Sequence, residues 1–335
     1  MTLSGRPLLA TARDAALFVN RESELTSLER ALKLGLNSLV YGRAGSGKTS
    51  LLNALAYRQR DRYMFITASG DGAGTAADLL LHMRGASQSN ASVPNVFGGG
   101  GPPSARGALR SLATWVAVQE ETSEGKQVVL VLDGLPVAAG RELFGALRDE
   151  LWATDLRWIV AVDRQQAYAL TQPPVDAFFE TQLELEPLTE ANVVELITRR
   201  GADLGPSAVR DIAATSSGQP RNVLDLVRYA VQNPSETSLS DQMGARDAAV
   251  AAMDSSMRAL LEQLEAGGPM SASNTELSRN LGLTRSRITQ MFAELERRGL
   301  VTRSSPKTSQ PGRPKVVFRS VAPQEYVAPV DLDAS

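Results

Sequence analysis

The stretch Tyr41-Gly-Arg-Ala-Gly-Ser-Gly-Lys-Thr-Ser50 decides the fold of this chain. It fits the spacing G-x-x-x-x-G-K-[ST], with Gly42, Gly47, Lys48 and Thr49 in the fixed places. A polyphosphate needs many N–H donors at close range. Gly42, Gly45 and Gly47 let the backbone wrap it without Cβ clashes, and Ala44, Ser46 and Ser50 complete the wrapping segment. Ser38–Tyr41 reads as a short buried strand before the loop. Ser50-Leu-Leu-Asn-Ala-Leu-Ala reads as a helix behind it, with its positive end on the phosphates. Lys48 is expected at the β/γ-phosphates and the Thr49 hydroxyl on Mg²⁺. The strand–loop–helix order separates this motif from a fortuitous glycine-rich turn.

Composition narrows the chemistry. The 335 residues contain no cysteine, so a disulfide framework and a thiolate metal site are excluded. The single histidine, His82, rules against a His-based metal site or triad and reads as a structural residue on an amphipathic helix. No apolar run approaches the ~18–20 residues of a membrane span, and the N-terminus lacks a signal pattern. A cytoplasmic, membrane-free protein is expected. The net charge of −2 hides an asymmetry: residues 255–320 carry eleven Lys/Arg against five Glu. A basic C-terminal part suggests that one domain meets a polyanion.

Downstream, Gln127-Val-Val-Leu-Val-Leu-Asp133 is a buried strand ending in an acid, the Walker B pattern, in which Asp133 holds Mg²⁺ directly or through water. Arg157–Asp163 reads as a further buried strand. Tyr63–Thr67 is another, and helices are expected near 75–84 and 105–120. Residues 85–107, rich in Gly, Ser, Asn and Pro, are expected to form a mobile linker. Upstream, Phe18-Val-Asn-Arg-Glu-Ser-Glu-Leu25 precedes the helical pattern Leu25, Leu28, Ala31, Leu32. An ordinary helix start capped by Asn20 or Ser23 is the simpler reading of that segment taken alone. Gly218-Gln-Pro-Arg221 opens the third of three short helices between 189 and 232.

Together these residues resemble AAA+ ATPases of the origin-recognition/initiator and STAND-related clade, over residues 18–232. Phe18–Leu25 resembles the clade's F-x-G-R-E-x-E-L box, which lies against adenine. The resemblance implies nucleotide contacts from Val19, Asn20 and Arg21, with Asn20 tolerating the positive φ where the family has Gly. Arg157–Asp163 corresponds to the sensor-1 strand, and Phe178–Leu188 to the last core strand and the exit to the lid. The G-x-P-R quartet resembles the lid motif whose arginine reaches the γ-phosphate. Pro220 and Arg221 are thereby expected at the nucleotide, and Lys48, Asp133 and Arg221 become the catalytic set. ATP/ADP with Mg²⁺ is the implied cofactor; no N-K-x-D guanine motif follows. Two departures bear on mechanism. Asp133 is followed by Gly134-Leu135-Pro136, with no acid to orient water before Glu142. Slow hydrolysis follows, or a base from elsewhere: Glu22, Asp163 or a partner residue. Residues 171–186 contain no Arg or Lys, so an arginine finger there is missing.

After a polar linker at 233–240, one helix is expected from about 245 to 266. Ser273-Asn-Thr-Glu276 reads as a capping box. Thr284 caps a helix with Ile288, Met291, Phe292 and Leu295 on one face and Arg285, Ser286, Arg287, Thr289 and Gln290 toward solvent. This is a helix-turn-helix able to meet base edges in a major groove. Leu300–Arg303 and Val316–Arg319 are expected to form a hairpin wing. Its tip, Pro311-Gly-Arg-Pro-Lys315, resembles that of MarR-type winged helices, and Arg313 and Lys315 are expected on phosphate or minor groove.

The expected architecture is an α/β AAA+ core with a parallel sheet (1–187), an all-α lid (188–240), a winged helix-turn-helix domain (241–321) and an acidic tail (322–335). The expected function is a nucleotide-dependent switch on double-stranded DNA, with the chain itself or a further protein as additional partner. A STAND-like signalling or defence ATPase held closed with ADP, or a replication or transposition helper, are the alternatives.

Overall fold

The computed structural model describes residues 3–70, 73–86, 104–232, 246, 248–304, 316–321 and 326. The chain divides into two compact units. The first comprises Met1–Gly201 with Gln219–Asn222, the second Ala202–Gly218 with Val223–Ser335.

The first unit is built on five parallel strands: β1 (Ser38–Gly42), β2 (Tyr63–Ser69), β3 (Gln127–Asp133), β4 (Arg157–Asp163) and β5 (Thr181–Glu184), in the spatial order β2-β3-β4-β1-β5. Parallel strands need helical crossovers, so both faces of the sheet are covered and the strands read as unbroken apolar runs. Residues alternate between the two sides. Leu130, Leu132, Val160 and Val162 join one buried cluster, with α4 (Ala76–Ala86) and α5 (Ala105–Thr122). Val129, Val131, Ile159 and Ala161 join the other, with α2 (Glu22–Leu34) and α3 (Lys48–Gln59). Leu25, Leu28, Ala31 and Leu32 are the buried stripe of α2, as the spacing predicts.

The register brings the functional strand ends together. Gly42 pairs with Asp163 across β1 and β4, and Asp133 pairs with Ala161 across β3 and β4. Three chain segments far apart in sequence therefore present Gly42, Asp133 and Asp163 at one edge of the sheet. Between β3 and β4 the chain forms α6 (Val137–Arg141), a π-helical turn (Glu142–Ala146) and α7 (Arg148–Trp152). Residues 3–17, with α1 (Ala12–Ala16), lie along α3: Leu8 N donates to Ser50 Oγ at 3.1 Å and Asn53 Nδ2 to Leu8 O at 2.7 Å. Helix α8 (Arg164–Leu170) follows β4, and α9 (Glu190–Arg199) closes the unit.

In the second unit, α10 (Pro206–Thr215) precedes α11 (Pro220–Gln232), whose first turn belongs to the first unit. The helix expected from 245 to 266 is broken: residues 248–251 are helical, and a new helix runs Ser255–Gly267. Asp254 causes the break, because its carboxylate accepts from Met257 N at 2.8 Å and so caps the second segment. The capping box is likewise displaced by one residue. Asn274 rather than Ser273 caps the helix Thr275–Leu281, accepting from Leu277 N at 3.3 Å. The helix Arg285–Arg297 and the antiparallel strands Val301–Ser304 and Val317–Ser320 complete a winged helix, with Met270 bridging to Phe318. Phe292 and Phe318 stack at 4.3 Å in its core. The polar linker 233–240, residues 87–103 of the glycine-rich segment, Arg313, Lys315 and the acidic tail lie outside the described residues, except that Tyr326 of the tail is buried in the core of the winged helix.

Candidate nucleotide site and basic helix

The loop between β1 and α3 takes the shape its glycines permit. Gly45 (φ 83°) and Gly47 (φ 98°) are left-handed. A Cβ on Gly42 would meet Ser46 Oγ at 2.9 Å and Leu185 at 3.1 Å, and one on Gly45 would meet Arg221 Cβ at 2.9 Å. Lys48 turns back over the loop. Its Nζ donates to Gly42 O (3.0 Å), Arg43 O (3.2 Å) and Asp163 Oδ1 (2.6 Å). Thr49 Oγ1 donates to Asp133 Oδ2 at 2.6 Å. A hydroxyl and a carboxylate side by side are the hard oxygen donors that Mg²⁺ takes alongside phosphate and water, so the donor set fits that ion. The Ser50 hydroxyl, expected at the nucleotide, is occupied by Leu8 N.

The candidate water-orienting acids can be placed one by one. Gly134 is left-handed (φ 81°), its N–H donates to Ala161 O at 2.7 Å and its carbonyl accepts from Gly70 N at 3.0 Å. A side chain in that conformation is strained, which accounts for a small residue after Asp133. Glu142 Oε2 accepts from Ala76 N at 2.9 Å and so caps α4. Glu22 pairs with Arg58 at 2.6 Å; Arg58 lies nearly three turns along α3 from Lys48, about 15 Å away. Glu142 and Glu22 are thus committed elsewhere. Asp163 is the acid that the structure brings to Lys48.

The box before α2 has the backbone the resemblance implied. Asn20 (φ 57°) and Arg21 (φ 71°) are both left-handed. Neither Asn20 nor Ser23 caps α2; the cap position is Arg21, with no side-chain cap. The Arg21 guanidinium is buried and turned inward, to Glu24 (2.9 Å) and the Glu186 carbonyl, and the Val19 side chain is buried too. Only the backbone of these two is left for a nucleotide. Arg199 Nη1 donates to Phe18 O at 2.6 Å, tying α9 to the box.

The anchors of the N-terminal arm carry no mark in the sequence. Asp14 is 2% exposed, pairs with Arg6 at 2.6 Å and accepts from Leu9 N at 2.8 Å. Arg6 and the Leu9 N–H hold its carboxyl below the usual range. Nothing in the local pattern marks Asp14, because its partners are fixed by a non-repetitive turn.

Arg221 stands beside the loop. Its N–H reaches Gly45 O at 3.4 Å, its side chain is exposed, and among the described residues no carboxylate pairs with it. Gln219 is a neighbour the motif did not single out. With its amide assigned by hydrogen bonding, its nitrogen donates to Ala44 O and its oxygen accepts from Arg43 Nε, both at 3.2 Å. Lys48, Thr49, Asp133, Pro220 and Arg221 thus gather around one loop, and His82 is exposed on α4.

Within the winged helix, Arg285, Ser286, Arg287, Thr289 and Gln290 are all exposed, on the face opposite buried Ile288, Met291, Phe292 and Leu295. The Thr289 hydroxyl bonds back to Arg285 O at 2.9 Å. The acids of this helix are occupied at its other end: Glu294 pairs with Arg297 and Arg298, both at 2.7 Å, and Glu296 with Arg303 at 3.3 Å. Hydrogen bonds from Arg297 and Arg298 lower the Glu294 carboxyl to about 2. Among the described residues no acid pairs with Arg285 or Arg287, so the N-terminal end presents cations. Among the described residues no helix is long and apolar enough to cross a membrane.

Comparison with known proteins agrees with both units. The MarR family model matches residues 258–310. The Walker-type ATPase PABY2304 of Pyrococcus abyssi is similar in structure at 15% identity and TM-score 0.55, over 97% of this chain and 98% of its own. Cdc6p of Pyrobaculum aerophilum is similar at 15% identity and TM-score 0.50, over 93% of this chain and 94% of its own. No curated protein sequence matches. The chain has a P-loop fold of the AAA+ type, like that of these two structures, and its winged helix carries the match to the MarR family.

Proposed function

We propose that the chain is an ATP- and double-stranded-DNA-binding AAA+ switch with slow hydrolysis. One observation carries the reading. Helix α11 begins beside the phosphate loop, with Arg221 N–H at Gly45 O, and from Val223 onward belongs to the unit that contains the winged helix. A helix is stiff over its length, so what engages its first turn acts on the rest.

In this reading Lys48 and the loop backbone bind the β/γ-phosphates. Thr49 and Asp133 hold Mg²⁺, and Arg221 meets the γ-phosphate. The bound metal supplies charge neutralisation for the phosphoryl oxygens. The protein's part is to orient the phosphates and to fix α11. Hydrolysis is slow because Gly134, Glu142 and Glu22 offer no base. The exposed Arg285 and Arg287 face DNA phosphate and base edges, and the cations Arg313 and Lys315 add to the contact. We divide the chain as core to 187, lid to 240 and winged helix to 321, in a cytoplasmic protein that is nucleoid-associated when on DNA.

The test is duplex affinity by fluorescence anisotropy at fixed salt, with ATP, with ADP and without nucleotide. A shift of tenfold, about 1.4 kcal/mol of coupling, is expected between ATP and ADP. Lys48→Ala is expected to abolish the shift, and Arg285→Ala with Arg287→Ala to weaken binding in every nucleotide condition. Salt-sensitive binding indifferent to nucleotide would refute the switch. No binding at all would turn the reading to a STAND-like adaptor.

A further inference from the structure

Lys48 has three N–H donors, and the protein itself occupies all three: Gly42 O, Arg43 O and Asp163 Oδ1. The shortest is the ion pair to Asp163, at 2.6 Å. A polyphosphate that needs this ammonium has to displace an acceptor, and the other two are carbonyls of the loop's own backbone. Asp163 is also fixed in place. It forms a capping box with Gln166 at the start of α8, with Gln166 Oε1 accepting from Asp163 N at 3.1 Å. Gln166 Nε2 donates to Leu135 O at 3.2 Å, which ties the end of β4 to the segment after Asp133.

The charge arrangement at this edge is uneven. Asp133 lies on Thr49 in a position to face a cation. Asp163, half-exposed, faces Lys48 instead. A phosphate oxygen accepting from Lys48 Nζ lies within about 5–6 Å of the Asp163 carboxylate, the 2.6 Å contact plus an ordinary charge-assisted bond. Like charges at that separation repel in a partly desolvated site. The loop's N–H groups compensate the phosphates that they wrap. A third phosphate adds charge beyond the loop, where the ends of β1, β3 and β4 bring Asp163 to Lys48.

We propose that Asp163 is a specificity-determining residue: it competes for Lys48 and repels the terminal phosphate, so that the site favours a nucleoside diphosphate over the triphosphate. This rests on the nucleotide-binding reading above. It makes the diphosphate-bound form the resting one, and entry of the triphosphate coincides with release of the Lys48–Asp163 pair.

The test is equilibrium titration of the full chain with methylanthraniloyl-ADP and methylanthraniloyl-ATP in Mg²⁺. It compares wild type with Asp163→Asn and Asp163→Ser, both of which keep a cap for α8. Wild type is expected to bind the diphosphate more tightly. Both variants are expected to shift the preference toward the triphosphate by roughly fivefold, as removal of a like charge at this range implies. The Ser variant keeps the test open should the Asn variant not fold. If wild type binds nucleotide and the preference is the same in the variants, the role of Asp163 is refuted while nucleotide binding stands. If wild type binds neither nucleotide, the binding reading itself falls, and this inference with it.

Discussion

At the scale of single residues, the candidate site depends on backbone conformations that few side chains tolerate. Gly45 is the sharpest case. It is left-handed at φ 83°, and a Cβ there would approach Arg221 Cβ to 2.9 Å. Gly45→Ala is expected to cost roughly 1–2 kcal/mol in strain and to push the first turn of α11 off the loop. Nucleotide titration should then show weakened binding, with duplex affinity in the absence of nucleotide unchanged. Unaltered nucleotide affinity would mean that Arg221 is not part of the site. Asn20 shows the same rule from the other side: it adopts φ 57° where the resemblance implied a glycine, because Asn tolerates that region best among non-glycine residues. Asp163 was legible as a polar strand end and a candidate base. Its partnership with Lys48 depends on the pairing of β1 with β4, which no local pattern specifies.

At the scale of elements, periodicity was a dependable guide and boundaries were set by caps. The alternation along β3 and β4 and the stripe on α2 follow from which faces are buried. The break before Ser255 and the start at Thr275 were decided by Asp254 and Asn274, whose side chains found backbone N–H groups first. The helix Arg285–Arg297 carries a pH-dependent element. Its Glu294 carboxyl titrates at about 2 when folded, against an ordinary value near 4.3 when unfolded. A lowered pKa stabilises the fold above the unfolded value, and that contribution is lost as pH falls through the folded one. The groups are partly exposed to solvent, which screens the pair, so the effect is at most about 1 kcal/mol. Glu294→Gln should therefore lower Tm slightly at pH 7 and leave it unchanged near pH 2. An equal loss at both pH values would point to packing rather than charge.

At the scale of the whole molecule, the two units carry separate cores. Phe144, Trp158 and Phe178 lie in the buried cluster of the first unit; Phe292, Phe318 and Leu260 lie in that of the second. Phe292 is fully buried and stacked on Phe318, so Phe292→Ala is expected to cost about 3–5 kcal/mol in the winged helix. Calorimetry should show two transitions, with only one moved by this substitution. A single transition that shifts as a whole would mean that the units unfold together.

The sequence by itself determined the phosphate loop, the apolar strands that flank it, the polar face of Arg285–Gln290 and the order of the parts. These depend on short-range rules: glycine conformations, residue periodicity and motif spacing. Tertiary structure alone decided which strand end faces Lys48, that Glu142 is spent on capping α4, that the Arg21 side chain turns inward, and that residues 3–17 lie along α3. Each of these is a contact between residues distant in sequence. Such contacts are fixed by sheet order and packing, and a local pattern carries no record of them.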